Sequence, residues 1–274
     1  MADSMSIVIP TFRRPARLGD LLARLHDQLE TSELRDAVQV VVIDNCPERS
    51  AEAAAAAATL LVHYEHEPSP GVSNARNRGV RVARGDYVVF LDDDETPEPG
   101  WIEALHRQAR AGVDACFGPV TPEFETPPDP AMADVVYAMF SRRLEAEIGE
   151  DVSDRRAWLG TGNSMFRKQR CFSDHHPFDM RFNARGGEDI WFLRYLTEDR
   201  GVRLTWAGDA SVREFVPADR TTATYVRRRK YNSGQLRCLV ESAAPLPTAL
   251  GRVGFWMGVG AAQLTAHGTA AAAL

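Results

Sequence analysis

The stretch GDYVVFLDDDETPEPGW, residues 85–101, sets a short apolar run, Tyr87 to Leu91, directly against Asp92, Asp93, Asp94 and Glu95. An apolar run of that length, closed by turn residues, reads as a strand buried on both faces. The plainest account of the acids is a solvated turn that caps the following helix. Their placement favours another. Three carboxylates at the mouth of a buried strand repel one another, and a bound cation would lower that repulsion. Hard oxygen ligands suit Mg²⁺ or Mn²⁺, and Mg²⁺ is usually held by one or two carboxylates together with substrate phosphates. The run therefore points to a divalent cation and a phosphorylated ligand, with Glu95 as a turn residue.

Upstream, short apolar segments alternate with helical patterns. MSIVIP at 5–10 reads as a buried strand, and Pro15 opens a helix whose Leu18, Leu21, Leu22, Leu25 and Leu29 form one apolar stripe. VQVVVID at 38–44 is a second strand, the alanine run 51–58 a helix, LLVHY at 60–64 a third strand, and 72–83 a further helix. This alternation predicts an α/β fold with a mainly parallel central sheet flanked by helices. Ligands bind at the carboxyl ends of the strands in such sheets, which directs attention to Pro10 to Arg13, Asp44 to Cys46, and Asp92 to Glu95. Neither GxGxxG after the first strand nor GxxxxGK[ST] anywhere is present, so the Rossmann dinucleotide and P-loop fingerprints are both missing.

The chain has 274 residues, 44% hydrophobic and 26% charged, with a formal net charge of −6, which predicts a folded protein and argues against nucleic acid as a partner. Lys168 and Lys230 are the only lysines, so nearly all basic charge is arginine, the better residue for bidentate phosphate contacts. Four separated cysteines without a CxxC pair fit a reduced, cytoplasmic setting. The N-terminal MADSMSIVIP lacks the pattern of a signal peptide, and no apolar stretch is long enough to span a bilayer.

Beyond residue 120 the pattern loosens. TPEFETPPDP is a proline-rich loop, 131–149 reads as a helix, and WLGTGNS at 158–164 is a loop. FNARGGEDIWFLRYL reads as a glycine turn, two acids and a helix, followed by a short strand at 203–208. The tail from 241 to 274 is apolar and glycine-rich, expected as a helical extension suited to packing on the domain or touching a membrane surface.

Taken in order, SIVIPTFRR, VVVIDN, GVSNARNRGV, GDYVVFLDDDETPEPGW, GTGNSMFR and GGEDIWFLRYL resemble the segments of family-2 glycosyltransferases. The resemblance covers roughly residues 5–240 and implies a GT-A fold, with a nucleotide-binding half over 1–118, an acceptor half over 119–240, and an inverting transfer from a nucleotide diphosphate sugar. It implies that Pro10, Thr11 and Arg13 line the nucleotide, that Asp44 contacts the base, and that Arg76 reaches the nucleotide too. Asp92 opens the DxD, Asp93 falls at the ribose, and Asp94 falls on the metal-binding carboxylate. Asp189 of the Glu188–Asp189 pair matches the general base, which removes the acceptor proton as the diphosphate departs. Trp158, Gly162 and Asn163 fall where relatives line the pocket between donor and acceptor.

Many relatives complete the metal site with a histidine in a segment like HxxP. Here the segment is VREFVPADR, and Glu214 stands at that place, so Glu214 is expected to ligate Mn²⁺ or Mg²⁺ directly or through water. The basic run 226–235 suits either the diphosphate or an anionic lipid surface. The donor expected is uridine-linked, and the acceptor a glycan, a lipid-linked saccharide or a small glycoside. Two alternatives stand beside this reading: a nucleotidyltransferase, and a non-catalytic nucleotide-sugar-binding protein held at a membrane by the tail.

Overall fold

The computed structural model describes residues 3–173, 177–183, 186–242, 250–251 and 253–258. Ten strands lie along it: β1 (Met5–Thr11), β2 (Val38–Asp44), β3 (Val62–His66), β4 (Tyr87–Phe90), β5 (Glu95–Pro97), β6 (Ala115–Phe117), β7 (Val120–Phe124), β8 (Ser164–Arg167), β9 (Leu204–Trp206) and β10 (Val212–Val216). Seven of them form one sheet in the order β3-β2-β1-β4-β8-β6-β9. Every neighbouring pair is parallel except those made by β8, which runs antiparallel to β4 and β6.

The helices are α1 (Pro15–Glu30), α2 (Glu52–Ala57), α3 (Val72–Val82), α4 (Trp101–Arg110), α5 (Ala133–Phe140), α6 (Lys168–Cys171), α7 (Glu188–Arg194) and α8 (Ala223–Ser242). Alternate residues of each central strand feed opposite faces. Ile7, Ile9, Val40, Val42 and Val89 pack with the α1 leucines and with Trp101 and Leu105 of α4. Val8, Val41, Ile43, Val88 and Phe90 pack on the other face with Ala75 and Val80 of α3 and Phe192 and Leu193 of α7. Burial on both faces explains why these strands are apolar without alternation.

A second sheet, β5-β10-β7, stands beside the first. Its β10 runs antiparallel to β5 and parallel to β7, with Glu214 opposite Glu95. Val216 there joins Val136, Phe140 and Val226, which fastens α5 and α8 to this edge.

Three expectations need correction. TPEFETPPDP is a loop only from Glu125 onward, because Thr121 to Phe124 continue β7 alongside β10. The helix read over 131–149 is limited to Ala133–Phe140, because Ser141 turns extended and Arg142 pairs with Val120 through two backbone hydrogen bonds of 3.0 Å. Glu95 is not a solvated turn residue; it opens β5 and is only 4% exposed. Most of the 241–274 extension lies outside the described residues. Among those described, no helix is long and apolar enough to cross a membrane.

Candidate active site

The carboxyl ends of β1, β2 and β4 meet at one edge of the main sheet, around a cavity of about 420 Å³. Its wall is made by the turn after β1, Asn45, the 70–72 segment, α3 and the three aspartates after β4. Thr11 Oγ1 donates to Asp93 Oδ2 at 2.7 Å. Arg14 Nη1 donates to Asp93 Oδ1 at 2.7 Å and to Asp94 Oδ2 at 2.8 Å. Arg14 stands immediately before Pro15, whose fixed φ starts α1, so the strand-to-helix turn delivers this guanidinium to the aspartates. Burial raises the Asp93 pKa, and Arg14 opposes that rise.

The second acid pair arrives on α7. Gly187 precedes it with φ of 94°, a left-handed conformation that glycine adopts without strain, and Glu188 and Asp189 then form the first turn. From α3, Arg76 Nη1 donates to Glu188 Oε1 at 2.8 Å, while its Nη2 lies 3.7 Å from Asp92 Oδ1. Arg76 is buried and thereby joins the two acidic clusters. Burial raises Glu188, the neighbouring Asp189 raises it further, and Arg76 opposes both. Withdrawal from bulk water likewise raises Asp92, against the pull of Arg76. Asp189 Oδ1 accepts from the Ile190 amide at 2.8 Å, and its Oδ2 faces Gly160. Arg76 Nε, Glu188 Oε2 and Thr161 Oγ1 are buried here without hydrogen-bond partners among the described residues. Buried polar atoms are rarely left so, and a bound ligand would complete them.

Arg142 fixes the loop between the two clusters. Its Nε donates to Gly118 O, Nη1 to Gly160 O, and Nη2 to the carbonyls of Gly162 and Asn163, all at 2.7–2.9 Å. Burial lowers its pKa, and the nearby carboxylates of Glu95, Asp92, Glu214 and Asp189 raise it. Glu95 Oε2 accepts from the amides of Asp92 and Asn163 at 2.9 and 3.1 Å. A Cβ on Gly162 would sit 2.8 Å from both Asp92 Oδ2 and Glu95 Oε1, so only glycine fits against the acids.

Glu214 is pushed up to about 7 by burial and then by Asp94 and Asp92, which places it in their field. Such mutual repulsion among hard oxygen donors is what Mg²⁺ or Mn²⁺ relieves, and the donor chemistry of Asp94 and Glu214 fits either ion. The geometry is not yet that of a cation site. Among the described residues, no group of three or more His, Cys, Asp or Glu side chains is arranged to hold a metal ion. Arg14 lies on Asp94 instead, with Arg220 Nη1 a further 3.8 Å from the same oxygen.

Several residues expected at the site stand elsewhere. Asp44 is fully buried, accepting from the amides of Cys46 and Ala51 at 3.0 and 2.7 Å and from Tyr64 Oη at 3.1 Å, and Asn45 lines the cavity in its place. Arg13 has φ of 56° and pairs with Glu48 at 3.2 Å, outside the cavity lining. Asn163 spends its amide inside the fold, donating to Pro119 O and Ala210 O and accepting from Trp101 Nε1, each at 2.8 Å. Trp158 is 74% exposed, beside the loop that approaches Asp189. Pro10, Thr11, Arg76 and Asp92 to Asp94 do line the cavity. The sequence reading names neither Arg14 nor Arg142 at the site, and it takes Glu95 only for a turn residue. Arg14 carries a signal, an arginine directly before the helix-opening proline, whereas nothing local marks Arg142.

The sequence profile of Glycosyl transferase family 2 matches residues 6–168. The chain belongs to glycosyltransferase family 2. This glycosyltransferase is 29% identical over 253 residues to the succinoglycan biosynthesis protein ExoM of Rhizobium meliloti, covering 89% of this chain and 78% of that one. It is 27% identical over 210 residues to glycosyltransferase AglE of Haloferax volcanii, covering 75% and 64% of the two chains. The crystal structure of S. aureus TarS 1–349 in complex with UDP superposes with a TM-score of 0.61 at 15% identity, covering 93% of this glycosyltransferase and 70% of TarS 1–349. The complex of the same fragment with UDP-GlcNAc gives 0.58 at 16% identity, covering 93% and 71%. These likenesses establish the GT-A fold. Against a longer TarS chain the coverage is 41% of that protein.

Proposed function

We propose that this glycosyltransferase moves a sugar from a nucleotide diphosphate sugar, uridine-linked, to a hydroxyl of a saccharide acceptor, with inversion and with Mn²⁺ or Mg²⁺. The observation that carries the reading is Arg76, which lines the cavity and touches both Asp92 and Glu188. It brings a phosphate-suited pocket and the candidate base helix to one place. The UDP complexes of TarS support a uridine donor, and the succinoglycan role of ExoM supports a polysaccharide product.

In this reading the diphosphate lies along Thr11, Arg14 and Arg76, and the sugar reaches toward Gly160 and Gly162. Asp189 takes the proton from the acceptor hydroxyl as that oxygen bonds to the anomeric carbon. The bond from that carbon to the diphosphate oxygen breaks on the opposite face, and its electron pair leaves with the nucleotide. A divalent cation held by Asp94 and Glu214 would stabilise the charge gathering on the leaving diphosphate. Arg76 holds Glu188, and with it the first turn of α7, so that Asp189 keeps its place relative to the cavity. Exposed Trp158 offers a flat apolar face to an acceptor ring.

The test is purified protein with Mn²⁺ and a panel of nucleotide sugars. UDP-sugar hydrolysis together with a UDP-induced rise in melting temperature is expected. No response to any nucleoside diphosphate overturns the reading, and pyrophosphate release from a nucleoside triphosphate would replace it with nucleotidyl transfer.

A further inference from the structure

The Arg14 guanidinium lies on both Asp93 and Asp94, at 2.7 and 2.8 Å, within the cavity wall. The two carboxylates are not equally dependent on it. Asp93 keeps a second partner in Thr11 Oγ1 at 2.7 Å, whereas Asp94 Oδ2 has Arg14 in contact and Arg220 only at 3.8 Å. The Asp93 and Asp94 side chains are 5% and 12% exposed, so water screens this charge contact poorly. Arg14 itself is about a third exposed, at 35%, and lines the cavity. A divalent cation and the guanidinium cannot share Asp94 Oδ2, and side by side on one carboxylate each positive charge weakens the hold of the other. An incoming diphosphate, by contrast, offers the guanidinium a second anion of matching geometry.

We infer that Arg14 is a resident counter-cation, closing Asp94 to metal in the ligand-free enzyme and moving onto the donor diphosphate when nucleotide enters. Cation and nucleotide then load together, each improving the site for the other. This rests on the reading that Asp94 takes a divalent cation.

The experiment is Mn²⁺ binding, followed by electron paramagnetic resonance, to the full chain and to Arg14→Gln and Arg14→Gln/Asp94→Asn, each with and without UDP. Circular dichroism checks the fold. In the wild-type protein Mn²⁺ alone binds weakly and UDP strengthens it. Arg14→Gln binds Mn²⁺ alone about tenfold more tightly, the effect of about 1.4 kcal/mol, and UDP then adds little. The double variant loses the gain, which ties it to Asp94. Equal Mn²⁺ affinity in wild type and Arg14→Gln without UDP overturns the counter-cation role, as does tight Mn²⁺ binding by the ligand-free wild type. Failure of both proteins to bind Mn²⁺ even with UDP, while UDP itself binds, instead overturns the metal reading and the counter-cation with it.

Discussion

Asp189 and Glu188 are neighbours in sequence with different surroundings. Glu188 is buried against Arg76, whereas Asp189 is half-buried and has one oxygen turned to the Gly160 loop. Asp189→Asn keeps the shape and removes the proposed proton acceptor. It should lower turnover by about 10²- to 10⁴-fold while leaving the UDP-induced thermal shift unchanged, measured on one preparation. A variant that kept its turnover would transfer the role of base elsewhere. At this scale the sequence was legible where a residue follows a strand or opens a helix: Thr11, Arg76 and the three aspartates are all at the cavity. It does not foretell that Asp44 and Arg13 lie outside the cavity lining. The carboxylate of Asp44 is absorbed by the turn it caps, and the left-handed backbone of Arg13 sends the neighbouring arginine inward instead. Such choices depend on a single pair of dihedral angles, which residue type does not reveal.

Among the elements, the loop at 160–163 is the most constrained part of the site. Gly162→Ala would press a methyl group against Asp92 and Glu95 at 2.8 Å. We expect a drop of at least tenfold in kcat/KM with a melting temperature within a few degrees of wild type, since the loop can shift only by moving the acids. Arg142→Met should cost more in stability than in chemistry. It removes the donor shared by four carbonyls, of which Asn163 O keeps the Gly118 amide at 3.2 Å, and removes a buried positive charge from among the acids. A loss of about 3–5 kcal/mol in urea unfolding is the expected size. Neither β5 nor the early end of α5 was readable. A three-residue strand with proline at its end carries no periodic signal, and α5 stops because Arg142 has partners 18 to 24 residues away. Local pattern cannot register an anchor of that kind.

For the whole molecule, the two-faced core was plain from the sequence, because leucines at helical spacing and uninterrupted valine and isoleucine runs are both direct consequences of burial. Leu22→Ala, deep between α1 and the sheet, should cost about 2–5 kcal/mol without altering Mn²⁺ or UDP affinity in the surviving folded protein. Charge is the other global term. Glu214 is raised from the ordinary 4.5 to about 7, so the fold prefers its protonated form. The stability this contributes is full below about pH 4.5 and is lost as pH rises through about 7. In chelator, Glu214→Gln should therefore melt higher than wild type by a margin that grows from pH 5.5 to pH 8, by roughly a few degrees in all. A margin independent of pH would show that the carboxyl is not held in the acidic field.

The reversed direction of β8 settles which residues can meet at the cavity. Phe90, the last residue of β4, and Phe117, the last of β6, both lie opposite Ser164, the first of β8. A parallel strand would have brought its exit to that edge and left its approach at the far side of the sheet. Because β8 is inverted, the chain segment leading into it arrives where its neighbours depart, and the glycine loop faces the aspartates across a single strand spacing. One change of polarity thus lets a contribution from the second half of the chain close a pocket begun by the first, with no separate domain needed to carry it there.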